Sequence, residues 1–192
     1  MGDLAPRFEI VVVRHGETAW SLALKHTGRT DVPLTPAGRR RAMELAAELA
    51  GSYALVLSSP LLRARETAEL AGFPDPVIDP DLHEWDYGEY EGLTTEEIRA
   101  QHPGWNLWRD GGPSGETPEE VGARADRVLE RLRAAGGDCL VFAHGHILRV
   151  LTARWLEMPP SAGARFALAA GALGVLGHER ETEVIARWNA QR

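Results

Sequence analysis

The chain has 192 residues, with 21 Lys and Arg against 28 Asp and Glu, for a formal net charge of −7. Hydrophobic residues make up 44% and charged residues 26%, a globular composition that excludes a disordered tail, a fibre and a coiled-coil rod. The acidic balance argues against nonspecific binding to nucleic acid or to an anionic membrane, and the length suits one domain over residues 1–192.

In chain order, Met1–Glu9 carries Asp3, Arg7 and Glu9 and has no apolar core of the kind a leader needs. Ile10–Val13 is a β-branched run that reads as a buried strand. Pro36–Ala50 places Ala42, Leu45, Ala46 and Leu49 on one helical stripe, with Gly51 expected to close it. Ala54–Leu57 reads as a second strand, Leu61–Ala71 as a helix ended by Gly72, and Val77–Ile78 as a short strand. Asp79–Glu116 is rich in glycine and turns and reads as a lid or cap segment that is too short to fold alone. Within it, Thr94–Gln101 reads as a short helix with Glu96 and Glu97 in its first turn. Thr117-Pro118-Glu119-Glu120 is a helix start: Thr117 caps, Pro118 suits the first turn and Glu120 completes a capping box. That helix should run to about Ala135, before Gly136-Gly137. Leu140–Phe142 is a third core strand and Ile147–Leu156 a helix, while Arg165–Ala170, Ala172–Gly177 and Glu183–Trp188 read as closing strands. The alternation predicts an α/β class, a three-layer α/β/α sandwich with a mostly parallel sheet.

Cys139 is the only cysteine, so no internal disulfide can form, and a reducing, cytoplasmic location is expected. The longest apolar, glycine-rich stretch, Ala167–Gly177, falls short of the about 20 residues a spanning helix requires. The expectation is no membrane partner and no nucleic-acid partner. The apolar closing strands are either core or an interface edge, and a homodimer is expected.

Three core strands run straight into polar residues. The first reaches Arg14-His15-Gly16-Glu17-Thr18, the second Ser58-Ser59-Pro60 with Arg63 one turn later, and the third Ala143-His144-Gly145-His146. Ligand sites in open α/β sheets lie at the carboxyl ends of strands, so the three clusters can converge. Arginine forks, histidines and helix N-termini in one crevice suit phosphate. Singly, each has a plain structural reading as a surface ion pair, a satisfied histidine or a turn glycine. The case for a site is their joint placement.

A metal site built from His15, Glu84, Asp86, His144 and His146 is set aside. Alternate strand residues diverge, and Arg14 and Arg63 would oppose a divalent cation. His15 is the better nucleophile, since a neutral imidazole can attack phosphorus and form a phosphohistidine. Gly16 would let backbone approach the phosphate, and Arg14, Arg63 and His144 would stabilise the transferring oxygens. A proton donor for the leaving oxygen is sought in Leu82–Gly88. Glu84 beside Trp85 is the candidate, with Asp86 and Glu89 as rivals.

Val13–Thr18 resembles the signature of the histidine phosphatase superfamily, in its phosphoglycerate-mutase-like branch. Thr27–Gly38, Ser58–Ala68, Glu84–Gly92 and Phe142–Gly145 resemble that family's further motifs, in family order over residues 10–150. The resemblance implies His15 as the phosphorylated histidine, Arg14, Arg63 and His144 as the phosphate pocket, and Glu84 as the proton donor. It implies substrate contact near Ser21, Thr27, Gly28 and Gly145, a phosphoglycerate-mutase-like fold, and no metal or organic cofactor.

Two departures stand out. Trp20-Ser21 replaces a common phosphate-contacting asparagine with the shorter Ser21, and His146 stands where the mutases usually carry asparagine. The mutases also carry a longer, lysine-containing insertion, whereas the only lysine in this chain is Lys25. The implied function is metal-independent hydrolysis of a small phosphorylated metabolite, such as a sugar phosphate or bisphosphate. Phosphoglycerate-mutase-type transfer is the alternative, with a non-catalytic phospho-ligand module behind it. Substrate selection is expected in Trp20–Thr30 and Tyr87–Gly115, with Trp105, Trp108 and Arg109 either at the mouth or packed under a loop. Trp155 and Trp188 are read as core.

Overall fold

A computed structural model describes residues 8–191. The leader reading of Met1–Glu9 therefore lies, up to residue 7, outside the described residues. Six strands form one sheet in the order β3-β2-β4-β1-β5-β6. They are β1 (Ile10–Arg14), β2 (Leu55–Ser58), β3 (Val77–Ile78), β4 (Cys139–Ala143), β5 (Leu173–Glu179) and β6 (Thr182–Ala190). The first four run parallel, and β5 and β6 add an antiparallel edge beside β1.

Alternation along the central strands assigns the layers. Val13 of β1 and Leu140 and Phe142 of β4 face a cluster with Leu45, Leu49, Ala68 and Ala71. Those residues belong to α2 (Pro36–Glu48) with its C-cap Leu49, and to α3 (Leu62–Leu70) with its C-cap Ala71. Ile10, Val12, Cys139 and Val141 face the opposite way, onto Val121, Val128, Leu129, Ile147, Leu151 and Trp155. Those side chains come from α6 (Pro118–Ala134) and α7 (Gly145–Trp155). With both faces covered, the central strands read as continuous apolar runs. Helix α6 starts as expected: Thr117 Oγ1 accepts the Glu120 N–H and the Glu120 carboxylate accepts the Thr117 N–H.

Segment 79–116 joins the same core. It holds α4 (Thr95–Gln101) and α5 (Leu107–Asp110), and it buries Leu82, Trp85, Tyr87, Tyr90, Ile98 and Leu107 in the α6–α7 cluster.

Some boundaries differ from expectation. The Arg165–Ala170 strand is absent: a 3-10 turn runs over Pro160–Arg165, and the chain then wraps the end of β1. The wrap follows from polar demand at that end. Arg14 N–H donates to Ala172 O at 3.1 Å, the Arg14 guanidinium takes Leu168 O, and Gly171, at φ 68°, gives its N–H to His15 O at 2.9 Å. Helix α2 stops at Glu48, with the Leu49 N–H closing on Leu45 O, so Gly51 does not end it. Gly72, at φ 95°, does follow α3.

Candidate active site

Register brings the three polar clusters together. Arg14 pairs with Ala143, and Ser58 with Phe142. One residue further the ladder continues, with His15 N–H on Ala143 O at 3.0 Å and Ser59 N–H on Phe142 O at 2.9 Å. His15, Ser59 and His144 therefore leave the sheet side by side at its carboxyl edge.

His15 is buried. Its Nδ1 lies 2.7 Å from Gly16 O, so Nδ1 carries the proton and Nε2 keeps its lone pair. Burial first, then the nearby Arg63 and Arg14 charges, hold its pKa well below the ordinary histidine value, and the ring is neutral at pH 7. Gly16 donates its N–H to Thr67 Oγ1 at 3.1 Å. A side chain at Gly16 would meet Gly38 O at 2.5 Å, so the absence of a Cβ here seats α2 against the loop.

Arg14 lies beside His15. Its Nη1 donates to Leu168 O at 2.6 Å, while its Nε is buried without a partner. An unsatisfied buried donor on a cation is an anion site in waiting. Gly145 lets this guanidinium lie close, since a Cβ there would stand 3.3 Å from Arg14 Cζ.

Arg63 and His144 are fully buried behind this pair. Arg63 Nε donates to His144 Nδ1 at 3.1 Å, and its terminal nitrogens hold Thr30 O, Thr27 O and Gly28 O. With Nδ1 accepting, His144 gives its Nε2–H to Ser59 Oγ at 2.7 Å. Burial and the Arg63 charge keep His144 neutral. The two imidazoles meet edge to face, with ring centroids 5.2 Å apart.

Glu84 is buried at the start of α7. Its Oε1 accepts the Trp85 and Ile147 N–H groups at 2.9 Å each, and its Oε2 accepts the His146 N–H at 3.0 Å. Oε2 thus retains the freer lone pair. The rivals stand elsewhere. Asp86 is taken by Arg29 and the Gly88 N–H, which outweigh burial and lower its pKa. Glu89 accepts from Ser114 on the surface. Geometry therefore separates three carboxylates that the sequence leaves open.

A cleft of about 1030 Å³ opens onto this edge. Arg14, His15, Ser21, Thr27, Glu84 and Gly145 line it. Arg63, His144 and Gly28 do not; a Cβ on Gly28 would strike Trp85 O at 2.6 Å. Ser21 reaches the wall from α1 (Ala19–Leu22), but its hydroxyl completes that helix's cap, donating to Thr18 O at 2.9 Å and accepting the Thr18 N–H. Trp105, Trp108 and Arg109 do not line the cleft. Trp105 gives its Nε1–H to Gly111 O, Trp108 packs edge-on to Trp85, and Arg109 pairs with Asp110. Trp155 is fully buried, as expected.

The wall is completed by Tyr87, from the segment expected to select substrate, and by His146, the departure that follows Gly145. Tyr87 and His146 share a 2.6 Å hydrogen bond beside Glu84, and burial keeps the phenol protonated and the imidazole neutral. Arg149 also faces the cleft, four residues after Gly145 and so on the same face of α7, a spacing readable in advance. Among the described residues, no three His, Cys, Asp or Glu side chains converge to hold a metal ion. Among them too, no helix is long and apolar enough to cross a membrane.

The sequence profile of the histidine phosphatase superfamily (branch 1) matches residues 10–191. An acid phosphatase of Mycobacterium tuberculosis is 42% identical over 183 residues, which cover 92% of this chain and 90% of that protein. The sedoheptulose 1,7-bisphosphatase of Saccharomyces cerevisiae is 36% identical, covering 82% of this chain and 70% of its own length. Among solved structures, the product of a Mycobacterium tuberculosis open reading frame superposes with TM-score 0.92 at 38% identity, over 96% of this chain and 98% of that one.

Proposed function

This chain belongs to branch 1 of the histidine phosphatase superfamily, and from that premise we propose that it hydrolyses small phosphate monoesters through a phosphohistidine on His15. The observation that carries the reading is a neutral, buried imidazole whose Nδ1 is tied to Gly16 O, in a cleft it shares with Arg14, whose buried Nε has no partner.

The reaction has two steps. His15 Nε2 donates its lone pair to phosphorus, the phosphorus–oxygen ester bond breaks, and the leaving oxygen takes a proton from Glu84. Water then attacks the phosphohistidine and gives one proton back to Glu84. The phosphorus–nitrogen bond breaks, its electron pair returns to Nε2, and inorganic phosphate leaves.

Arg14 supplies fixed positive charge to the equatorial oxygens. Arg63 acts from behind, holding His144 against His15 and the 27–30 loop in place. Gly145 leaves room for the Arg14 guanidinium at the cleft floor.

The test is phosphate release from a panel of phosphorylated sugars and acids, with a chelator present. Wild-type activity should survive the chelator, and His15→Ala should lose about 10⁴-fold or more. Acid-labile phosphate trapped on the wild-type chain should be missing from the variant. Undiminished release by His15→Ala would overturn the assignment.

A further inference from the structure

Glu84 has to present its carboxyl to the leaving oxygen, and where that carboxyl stands depends on the backbone that carries it. The peptide groups on either side of Glu84 are held by two residues outside the cleft, Glu116 and Arg124. Glu116 precedes the cap residue Thr117, and Arg124 lies eight residues later on α6, where a side chain leans back toward the helix start. The Arg124 guanidinium donates from Nε and Nη2 to the two Glu116 carboxylate oxygens, at 2.7 and 2.9 Å, the fork of a bidentate pair. Its Nη1 donates to Asp81 O and to His83 O, the peptide oxygen immediately before Glu84. Glu116 grips the other side. Its Oε2 accepts the Asp86 N–H, its own N–H donates to Asp86 O, and its O accepts the Trp85 indole N–H, each at 2.9 Å.

The pair is mostly shielded from water, with side-chain exposures of 13% for Arg124 and 17% for Glu116. A shielded ion pair adds little net stability over apolar side chains of similar size, but its forked bonds fix position. Attachment of the segment is provided separately: Arg131 and Arg127, further along α6, hold Asp79 and Asp81. What Glu116 and Arg124 add is the exact placing of residues 83–86.

We propose that Glu116 and Arg124 are positioning residues for proton transfer: by clamping the backbone before and after Glu84, they hold its carboxyl where the leaving oxygen departs. The proposal rests on the reading above, in which Glu84 is the proton donor. Slack of about 1 Å in such a group costs about 10²-fold in rate. The cost falls only on esters whose leaving oxygen needs the proton.

The test uses phenyl phosphate and p-nitrophenyl phosphate, which are close in size but differ in that need. Release of the phenol is followed in single turnovers, so that only the first step is read. Arg124→Met should slow phenol release by about 10- to 100-fold and nitrophenol release far less. Arg124→Lys, which keeps a donor for the carbonyls but not the fork, should recover part of the loss. In a Glu84→Gln background, Arg124→Met should slow phenol release no further, because the group it positions has lost its proton. A melting curve checks that each variant is folded. If Arg124→Met does not fold, Glu116→Gln, which keeps an acceptor for the Asp86 N–H, is judged by the same two comparisons.

Equal slowing of both esters, or the same loss with and without Glu84→Gln, would overturn the positioning role and leave hydrolysis through His15 in place. Equal slowing of both esters by Glu84→Gln itself would remove the donor and the positioning role together. Undiminished release by His15→Ala would instead sink the phosphohistidine reading, a result that neither Arg124 nor Glu116 can produce.

Discussion

At the scale of single residues, the site divides into groups that the motifs announce and groups that only packing defines. His15 and Arg14 fall in the first class, because their strand end is one of three that deliver phosphate-suited residues to the carboxyl edge of a parallel sheet. Glu84 falls between: three nearby carboxylates look alike in sequence, and only the structure shows that one of them caps α7 while the others face Arg29 and Ser114. This assignment predicts a leaving-group effect. Glu84→Gln keeps acceptor capacity for the helix amides but removes the transferable proton. Turnover of a sugar phosphate should drop by about 10²- to 10⁴-fold. Turnover of p-nitrophenyl phosphate should fall far less in its first step, because nitrophenolate leaves without protonation. Equal losses on both substrates would show that Glu84 only positions α7. The pairing of Tyr87 with His146 belongs to the second class, since it joins wall residues 59 apart in sequence.

At the scale of elements, the strands and long helices were legible because their patterns and caps agree. The β-branched run of β1 and the Thr117–Glu120 box of α6 each point to one conformation. The segment Arg165–Ala170 misled because it is apolar enough for a strand, yet it is bent by the demand of the Arg14 guanidinium for Leu168 O, a contact 154 residues apart in sequence. The short α1 and α5 left no stripe to read at four residues each. Glycine roles were also hidden. Gly16 and Gly38 form a close crossing in which a Cβ on Gly38 would collide with Glu17 O, and a Cβ on Gly16 with Gly38 O. The crossing locks the N-terminus of α2 beneath the nucleophile loop. Gly38→Ala should therefore destabilise the fold by about 1–3 kcal/mol, the usual cost of overpacking. Urea denaturation gives that difference directly. Because the strain would displace Glu17 and its neighbour Gly16, kcat should also fall. Unchanged stability would mean that the loop can slide over α2 freely.

At the scale of the whole molecule, an acidic protein is folded around a cleft of buried neutral histidines and unpaired cations. His15, His26, His144 and His146 all have native pKa values lowered from 6.5, with burial as the largest cause in each. The sign of the linkage follows. From about one unit above pH 6.5 neither the folded nor the unfolded chain protonates these rings, and stability is at its full value. As pH falls below that point, the unfolded chain binds protons that the native chain refuses, so unfolding gains. Each ring contributes a slope of up to about 1.4 kcal/mol per pH unit while only the unfolded chain is protonated. Asp81 and Asp86, whose pKa values are lowered from 3.8, act in the same direction but at lower pH. Urea midpoints measured at pH 8.5, 7.5 and 5.5 should hold between the first two and drop at the third. Catalysis should respond differently, because the nucleophile is lost only when His15 is protonated in the native state, well below 6.5. Between those two limits lies a window in which the enzyme is less stable yet keeps its kcat. A parallel fall of stability and activity from pH 6.5 to 5.5 would mean that His15 is not buried away from protons, and the neutral-imidazole mechanism would go with it.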